Sequence, residues 1–316
     1  MDEDRTVLVT TRSFGGGDKD PEALLRAEGL SVVRGDPGHE LAALLPHLAR
    51  AEGWIAGTAP IGAEHLDAAP MLRIVARYGV GVDGVDLNAA RRRGVIVTNT
   101  PGANAEAVAD LTIGLALAAL RGIVEGDRAV RAGHWSGRVG RELGECTVGI
   151  VGYGRIGRAV HRRLNGFGSR VVAHDPYAVD VDIPLVSLAE LVRVADIVTL
   201  HAPATPRPLI DATLLKAMRP GAILVNTARA ALIDEAAVAE LLRTGRLGAL
   251  ATDVLSTEER GRSPLLDAPN VIVTPHIAGQ SVQAVDRMGM SAARECVRVL
   301  VRGEAPEHPV TAGAPA

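Results

Sequence analysis

The stretch Val148-Gly149-Ile150-Val151-Gly152-Tyr153-Gly154-Arg155-Ile156-Gly157 decides the fold. An apolar strand runs into G-x-G-x-x-G, and a helical segment at 158–164 follows. Gly152 permits a tight turn, Gly154 lets backbone approach a pyrophosphate, and Gly157 lets helix and strand pack closely. The N–H groups at the helix start, at Arg155 and Ile156, then face the phosphate charge. Alone the motif is weak, but a strand before it and a helix after it are the required context. A second apolar strand at 170–173 leads to His174-Asp175, and Asp175 lies 18 positions after Gly157. That spacing suits an acid on the ribose hydroxyls. A carboxylate there repels a 2′-phosphate, and Pro176-Tyr177-Ala178 offers no arginine to hold one. The expected cofactor is therefore NAD.

Outward from the motif, short apolar strands alternate with helical patterns. One series runs through Val7-Leu8-Val9, Val32-Val33, Trp54-Ile55-Ala56, Ile74-Val75-Ala76 and Val95-Ile96-Val97. A second starts at Val148 and continues at 170–173, 197–200, 222–225, 249–252 and 271–273. This rhythm predicts two α/β domains with parallel sheets. Long helical segments at 104–121 and 281–302 read as connectors, the second returning the chain to the first domain. The expected division is 1–101 plus 284–316 against 102–283.

The 316 residues are 47% hydrophobic but 2% aromatic, so the cores must be aliphatic. Parallel sheets covered on both faces suit that composition. A net charge of −3 without a Lys/Arg block argues against a nucleic-acid partner. Cys146 and Cys296 form no C-x-x-C pair and no metal-ligand spacing, so free thiols and no metal are expected. The acidic opening Met1-Asp2-Glu3-Asp4-Arg5 has no signal-peptide character, and the apolar run 111–120 is too short to span a bilayer. A cytoplasmic protein with no membrane partner is expected.

Reduction of a 2-oxo acid needs a cation on the carboxylate and carbonyl, and an acid to protonate the developing alkoxide. Arginine suits the first because its planar fork is always charged. Histidine suits the second, and a nearby glutamate keeps it protonated. Arg229 stands just past the strand ending at Asn226, Asp253 and Glu258 follow the strand ending at Thr252, and His276 follows Thr274-Pro275. Open α/β sheets place their sites at such strand ends. His201, at the end of an apolar strand, reads instead as a structural histidine.

Asn226-Thr227-Ala228-Arg229, Asp253-Val254 with Glu258, and Thr274-Pro275-His276-Ile277-Ala278-Gly279 resemble the three signatures of the D-isomer-specific 2-hydroxyacid dehydrogenases. Arg77-Tyr78-Gly79-Val80-Gly81-Val82-Asp83 is similar to that family's substrate-carboxylate loop, and Thr11-Arg12-Ser13-Phe14-Gly15 to its phosphoglycerate-dehydrogenase-like branch. The resemblance implies two doubly wound, Rossmann-like or flavodoxin-like domains with a cleft between them. One would be a discontinuous substrate-binding domain and the other an NAD-binding domain, in a homodimer. It implies Arg229 on the substrate carboxylate and carbonyl, His276 as proton donor or acceptor, and Glu258 as its tuner. Val80 and Gly81 would hold the carboxylate through backbone N–H groups. Asp253 would meet the nicotinamide carboxamide, and Ala202, Pro203 and Thr227 would line the cofactor. Arg12, Ser13 and Arg77 are further candidates for a phosphate- or phosphonate-bearing acid. Four departures stand out: Ala230 where glycine is usual, a 205–209 loop about two residues short, Asp110 for glutamate, and Leu255 with Glu259-Arg260 in altered surroundings. The alternative reading is an NAD(H)-sensing regulatory or corepressor protein on the same scaffold.

Overall fold

The computed structural model describes residues 5–135, 137–179, 181–257 and 262–310. The chain divides into two compact units, Met1–Asn104 with Gly279–Ala316, and Ala105–Ala278.

In the first unit, β1 (Arg5–Thr10), β2 (Leu30–Arg34), β3 (Ala51–Ala56), β4 (Ile74–Arg77) and β5 (Ile96–Thr98) form one sheet in the order β2-β1-β3-β4-β5. Every pairing between these strands is parallel. β5 starts one residue later than the apolar run suggests, because the Val95 N–H bonds back to Ala90 O at 2.9 Å and closes the preceding helix. The exposed side of β5 is met by an antiparallel bridge from Thr98 to Pro309, with Val310 N–H on Val97 O at 2.8 Å. Covering an edge strand this way removes a row of open backbone groups. The helix Val282–Cys296 packs on the helix Pro21–Ala27 and on β3 and β4, so it is part of this unit rather than a connector.

Under β1 and β3 lies a buried polar knot. Trp54 Nε1 donates to Thr10 Oγ1 at 2.8 Å, and Thr10 Oγ1 lies 2.6 Å from His39 Nε2. His39 Nδ1 sits 3.0 Å from Pro60 O, which can only accept, so Nδ1 carries the proton and Nε2 accepts from Thr10. His39 is neutral here, because burial pushes its pKa down to about 4. An unfolded histidine titrates near 6.5, so between about pH 6.5 and 4 the unfolded chain takes up a proton that the folded chain refuses. Stability therefore falls as pH drops through that window, by about 3 kcal/mol at most from this group. The denaturation midpoint of the first unit should decline between pH 7 and 5, with a shallower decline in His39→Gln. Identical slopes would refute the assignment.

In the second unit, β6 (Thr147–Val151), β7 (Arg170–His174), β8 (Ile197–Leu200), β9 (Ala222–Asn226), β10 (Leu247–Thr252) and β11 (Val271–Val273) form a parallel sheet in the order β11-β10-β9-β8-β6-β7. Both faces are covered, which explains the unbroken apolar runs. Val148, Ile150, Ile223, Val225, Ala249 and Ala251 pack on one side with Ile113, Ala116 and Leu120 of the helix Ala105–Arg121. Val151, Leu224 and Leu250 alternate to the other side with Leu191, Val238 and Leu242. The helix Ala105–Arg121 is thus a core helix of this unit. No single helix among the described residues is long and apolar enough to cross a membrane. Asn104, which precedes it, forms no cap: its buried Oδ1 accepts no hydrogen bond among the described residues.

Strand order reverses at β6, with β7 on one side and β8 onward on the other. The C-terminal ends of β6 and β8 therefore flank a topological switch point, where open sheets bind ligands.

Candidate active site

The loop after β6 is shaped by two glycines. Gly152 has φ of +90°, and a Cβ there would lie 2.6 Å from His201 O and 2.8 Å from Ala202 N. A Cβ on Gly157 would lie 2.2 Å from Gly152 O, so helix and turn can meet only without side chains. A Cβ on Gly154 would meet nothing within 4 Å, so that position faces open space. Gly154 is the N-cap of the helix Arg155–Asn165 and no side chain caps it, which leaves the N–H groups of Arg155 and Ile156 to the space in front. A bare, positively polarised helix end behind an open glycine fits a pyrophosphate.

Asp175 ends the β7 side of this loop. Its Oδ2 accepts the Tyr153 N–H at 2.7 Å and its Oδ1 the Tyr177 N–H at 2.8 Å. The carboxylate is thereby oriented beside the glycine turn, as ribose recognition requires. Ala202 and Pro203 follow β8, with Ala202 against Gly152. His201 stands at the end of β8. Burial holds its pKa down to about 3, its Nε2 lies 3.0 Å from Thr199 Oγ1, and its buried Nδ1 has no partner among the described residues.

The ends of β9, β10 and β11 are stitched together. Asn226 Nδ2 donates to Arg229 O at 2.9 Å, and Asn226 Oδ1 accepts the Ala228 N–H at 3.1 Å, which fixes the turn carrying Arg229. Asn226 O accepts the Asp253 N–H at 2.9 Å, and the neighbouring Thr252 hydroxyl donates to Val254 O at 2.7 Å. Asp253 is 1% exposed, and its carboxylate holds the next turn. Oδ1 accepts from Thr274 Oγ1 and from the Ile277 N–H at 2.9 Å, while Oδ2 accepts the Ala278 N–H at 2.8 Å. The His276 N–H donates to Asp253 O at 3.1 Å. This grip holds His276 at φ of +53°, a left-handed conformation uncommon outside glycine, although asparagine, aspartate and histidine enter it more often than other residues. Nothing in the spacing of the sequence signals that conformation or the Asp253 clamp.

Thr227 is turned inward. Thr112 Oγ1 donates to Val108 O at 2.8 Å, so in the 2.9 Å contact between Thr227 and Thr112 hydroxyls Thr227 is the donor. Any contact of Thr227 with a cofactor must use its remaining acceptor capacity or its backbone. Asp110 pairs with Arg163 on the surface, Oδ1 to Nε at 2.6 Å. Glu258, Glu259 and Arg260 lie outside the described residues.

In the first unit, Arg12 is exposed on the turn after β1, and Ser13 follows it. The Tyr78 hydroxyl donates toward Ser13 O and Val285 O, each at 3.2 Å, tying the β1 turn to the β4 loop. Arg77 is buried at the end of β4. Its Nε reaches Gly81 O at 3.3 Å and its Nη1 reaches Ala59 O at 3.4 Å, so it braces the loop that presents Val80 and Gly81. Asn99 Nδ2 also holds that loop, through Val80 O at 2.8 Å.

The second unit is thus a dinucleotide-binding domain with an arginine and a histidine at its carboxyl edge. Residues 113–278 match the family model for the D-isomer specific 2-hydroxyacid dehydrogenase, NAD binding domain, and the chain belongs to that family. A D-3-phosphoglycerate dehydrogenase of Mycobacterium leprae is 41% identical over 298 residues, covering 91% of this chain and 56% of the relative. A glyoxylate reductase of Korarchaeum cryptofilum is 39% identical over 265 residues, covering 79% and 80%. The crystallised TT0316 protein of Thermus thermophilus superposes with a TM-score of 0.88 at 41% identity, covering 97% of this chain and all of that one. The chain spans about half the length of the phosphoglycerate dehydrogenases it matches.

Proposed function

We propose that the protein reversibly transfers hydride between C2 of a D-2-hydroxy acid and a nicotinamide, using Arg229, Glu258 and His276. The observation that carries this reading is the stitched edge of β9, β10 and β11, which presents Arg229 and His276 on turns fixed by Asn226 and Asp253. Bound reduced nicotinamide supplies the hydride. Arg229 grips the acid's carboxylate and polarises the 2-oxo group. His276 gives its proton to the oxygen as charge develops there, and in the opposite direction takes the hydroxyl proton. Glu258 favours the protonated imidazole. Asp253 keeps one acceptor position on Oδ2, enough for the amide of a nicotinamide. The family resemblance assigns the N–H groups of Val80 and Gly81, in the first unit, to the acid's carboxylate.

The favoured substrate is a phosphate- or phosphonate-bearing acid of the 3-phosphoglycerate type. Exposed Arg12 beside Ser13 supports it, as does similarity to phosphoglycerate dehydrogenases. The glyoxylate reductase relatives make a small unphosphorylated acid the competing choice. The oriented Asp175 supports NAD over NADP. A homodimer is supported by the helix Ile123–Arg131, which buries no residue, and by Trp135 and Val139, exposed at 90% and 100%. A second copy of the chain is the proposed cover.

The test is oxidation of NADH and of NADPH with a panel of 2-oxo acids, phosphorylated and not, on protein whose mass is read by light scattering. NADH should be preferred by about 100-fold, and Asp175→Ala should narrow that ratio. Turnover of a phosphorylated acid alone supports the favoured substrate, and turnover of glyoxylate alone replaces it. NADH binding without turnover of any acid would favour the sensor. A single-chain mass would remove the dimer.

A further inference from the structure

Tyr153 stands between the first two glycines of the loop after β6. Glycine loses more conformational freedom on folding than any other residue, so this loop is costly to hold still. A loop that meets a pyrophosphate in one conformation binds better when that cost is already met in the free protein. Tyr153 is 6% exposed, so its side chain is packed into the protein. It is tied in two directions. Its main-chain N–H donates to Asp175 Oδ2 at 2.7 Å, toward β7. Its hydroxyl shares a hydrogen bond with His161 Nδ1 at 2.5 Å, on the helix Arg155–Asn165. The two rings are tilted by 49°, with centroids 5.8 Å apart. The Arg158 guanidinium lies over the Tyr153 ring, 5.0 Å from its centroid. Arg158 and His161 are three positions apart, so both rise from one face of that helix. One residue therefore joins Asp175 to the helix whose first N–H groups face the pyrophosphate.

A buried phenol left without a partner is costly, so the bond to His161 fixes where the Tyr153 ring can sit. We propose that Tyr153 and His161 are positioning residues for the adenosine-diphosphate half of the nicotinamide dinucleotide. Their hydrogen bond holds the glycine loop against the helix, and the Tyr153 N–H keeps Asp175 turned to the same loop. Both act through the loop rather than on the reacting atoms. The inference rests on the dinucleotide site and not on the acid reduced there.

The test is calorimetric binding of NADH and of ADP-ribose to the full chain. Tyr153→Phe keeps a ring under Arg158 and removes only the hydroxyl. It should weaken NADH and ADP-ribose by the same factor, about 5- to 10-fold. His161→Ala should do the same in the unmodified background and cost less than about 2-fold more in Tyr153→Phe. His161→Asn puts an amide atom close to where Nδ1 lies, and should recover most of the affinity. Amide exchange in Tyr153→Phe should rise in 152–157 and stay unchanged in β9. Unmoved affinities, or a loss for NADH that ADP-ribose does not share, overturn the positioning role. Faster exchange throughout the second unit also overturns it, because the loss then reports general loosening. Additive losses in the double variant overturn the pair. If His161→Ala does not fold, Tyr153→Phe against His161→Asn carries the comparison, and equal losses in those two overturn the pair. The expected pattern in a protein that reduces no acid leaves this inference standing and removes the dehydrogenase reading instead.

Discussion

Replacing His276 by asparagine is expected to lower kcat about 1,000-fold while leaving NADH binding within about threefold. Asparagine is the informative choice because of the backbone. His276 sits at φ of +53°, and asparagine enters the left-handed region more readily than glutamine or alanine. The bonds from the Ile277 and Ala278 N–H groups to Asp253 then survive the substitution. The loss reports the missing proton donor rather than a displaced turn. In the reducing direction, a pH limb of the unmodified protein that comes from His276 should be lost in the variant, because asparagine does not titrate. A loss below about tenfold with the limb intact would place the proton donor elsewhere.

Arg229→Gln is expected to lower kcat/KM by about 1,000-fold, again without weakening NADH binding. Two functions go with one side chain, the grip on the carboxylate and the polarisation of the carbonyl. Arg229→Lys should recover only part of the rate, since a lysine ammonium is a point charge and cannot reproduce a planar two-point contact. Substrate reduction by Arg229→Gln within about tenfold of the unmodified rate would remove Arg229 from the chemistry. The backbone at this position should tolerate both changes. Arg229 is extended, at φ −140° and ψ 138°, and Asn226 Nδ2 holds its carbonyl whatever the side chain.

Both residues were legible as candidates because each stands just past an apolar strand, and position after a strand is a local property. The same holds for the glycine turn and for Asp175. The partners that make these residues usable were not legible. The resemblance assigns Asp253 to the nicotinamide, yet three of its carboxylate's acceptor positions are filled by Thr274, Ile277 and Ala278, 21 to 25 residues away in the chain. Thr227 stood beside the arginine in sequence and suggested a cofactor contact, but its hydroxyl turns to Thr112, 115 residues earlier. Glu235 stands in the first turn of a helix, and its serine partners lie 21 and 28 residues on.

The sequence by itself determined where the strands lie and the bare glycine loop. Apolar runs buried on both faces, caps such as Ser281 on the Ala284 N–H, and side-chain-free turns are set by residues a few positions apart. Only the tertiary structure decided which buried carboxylate holds which turn, and that His276 is bent into the left-handed region. Those outcomes depend on strand order. β10 lies between β9 and β11, so Asp253 at its end can reach the turns on both sides. A linear pattern carries the register of a strand with itself, not its neighbours in the sheet.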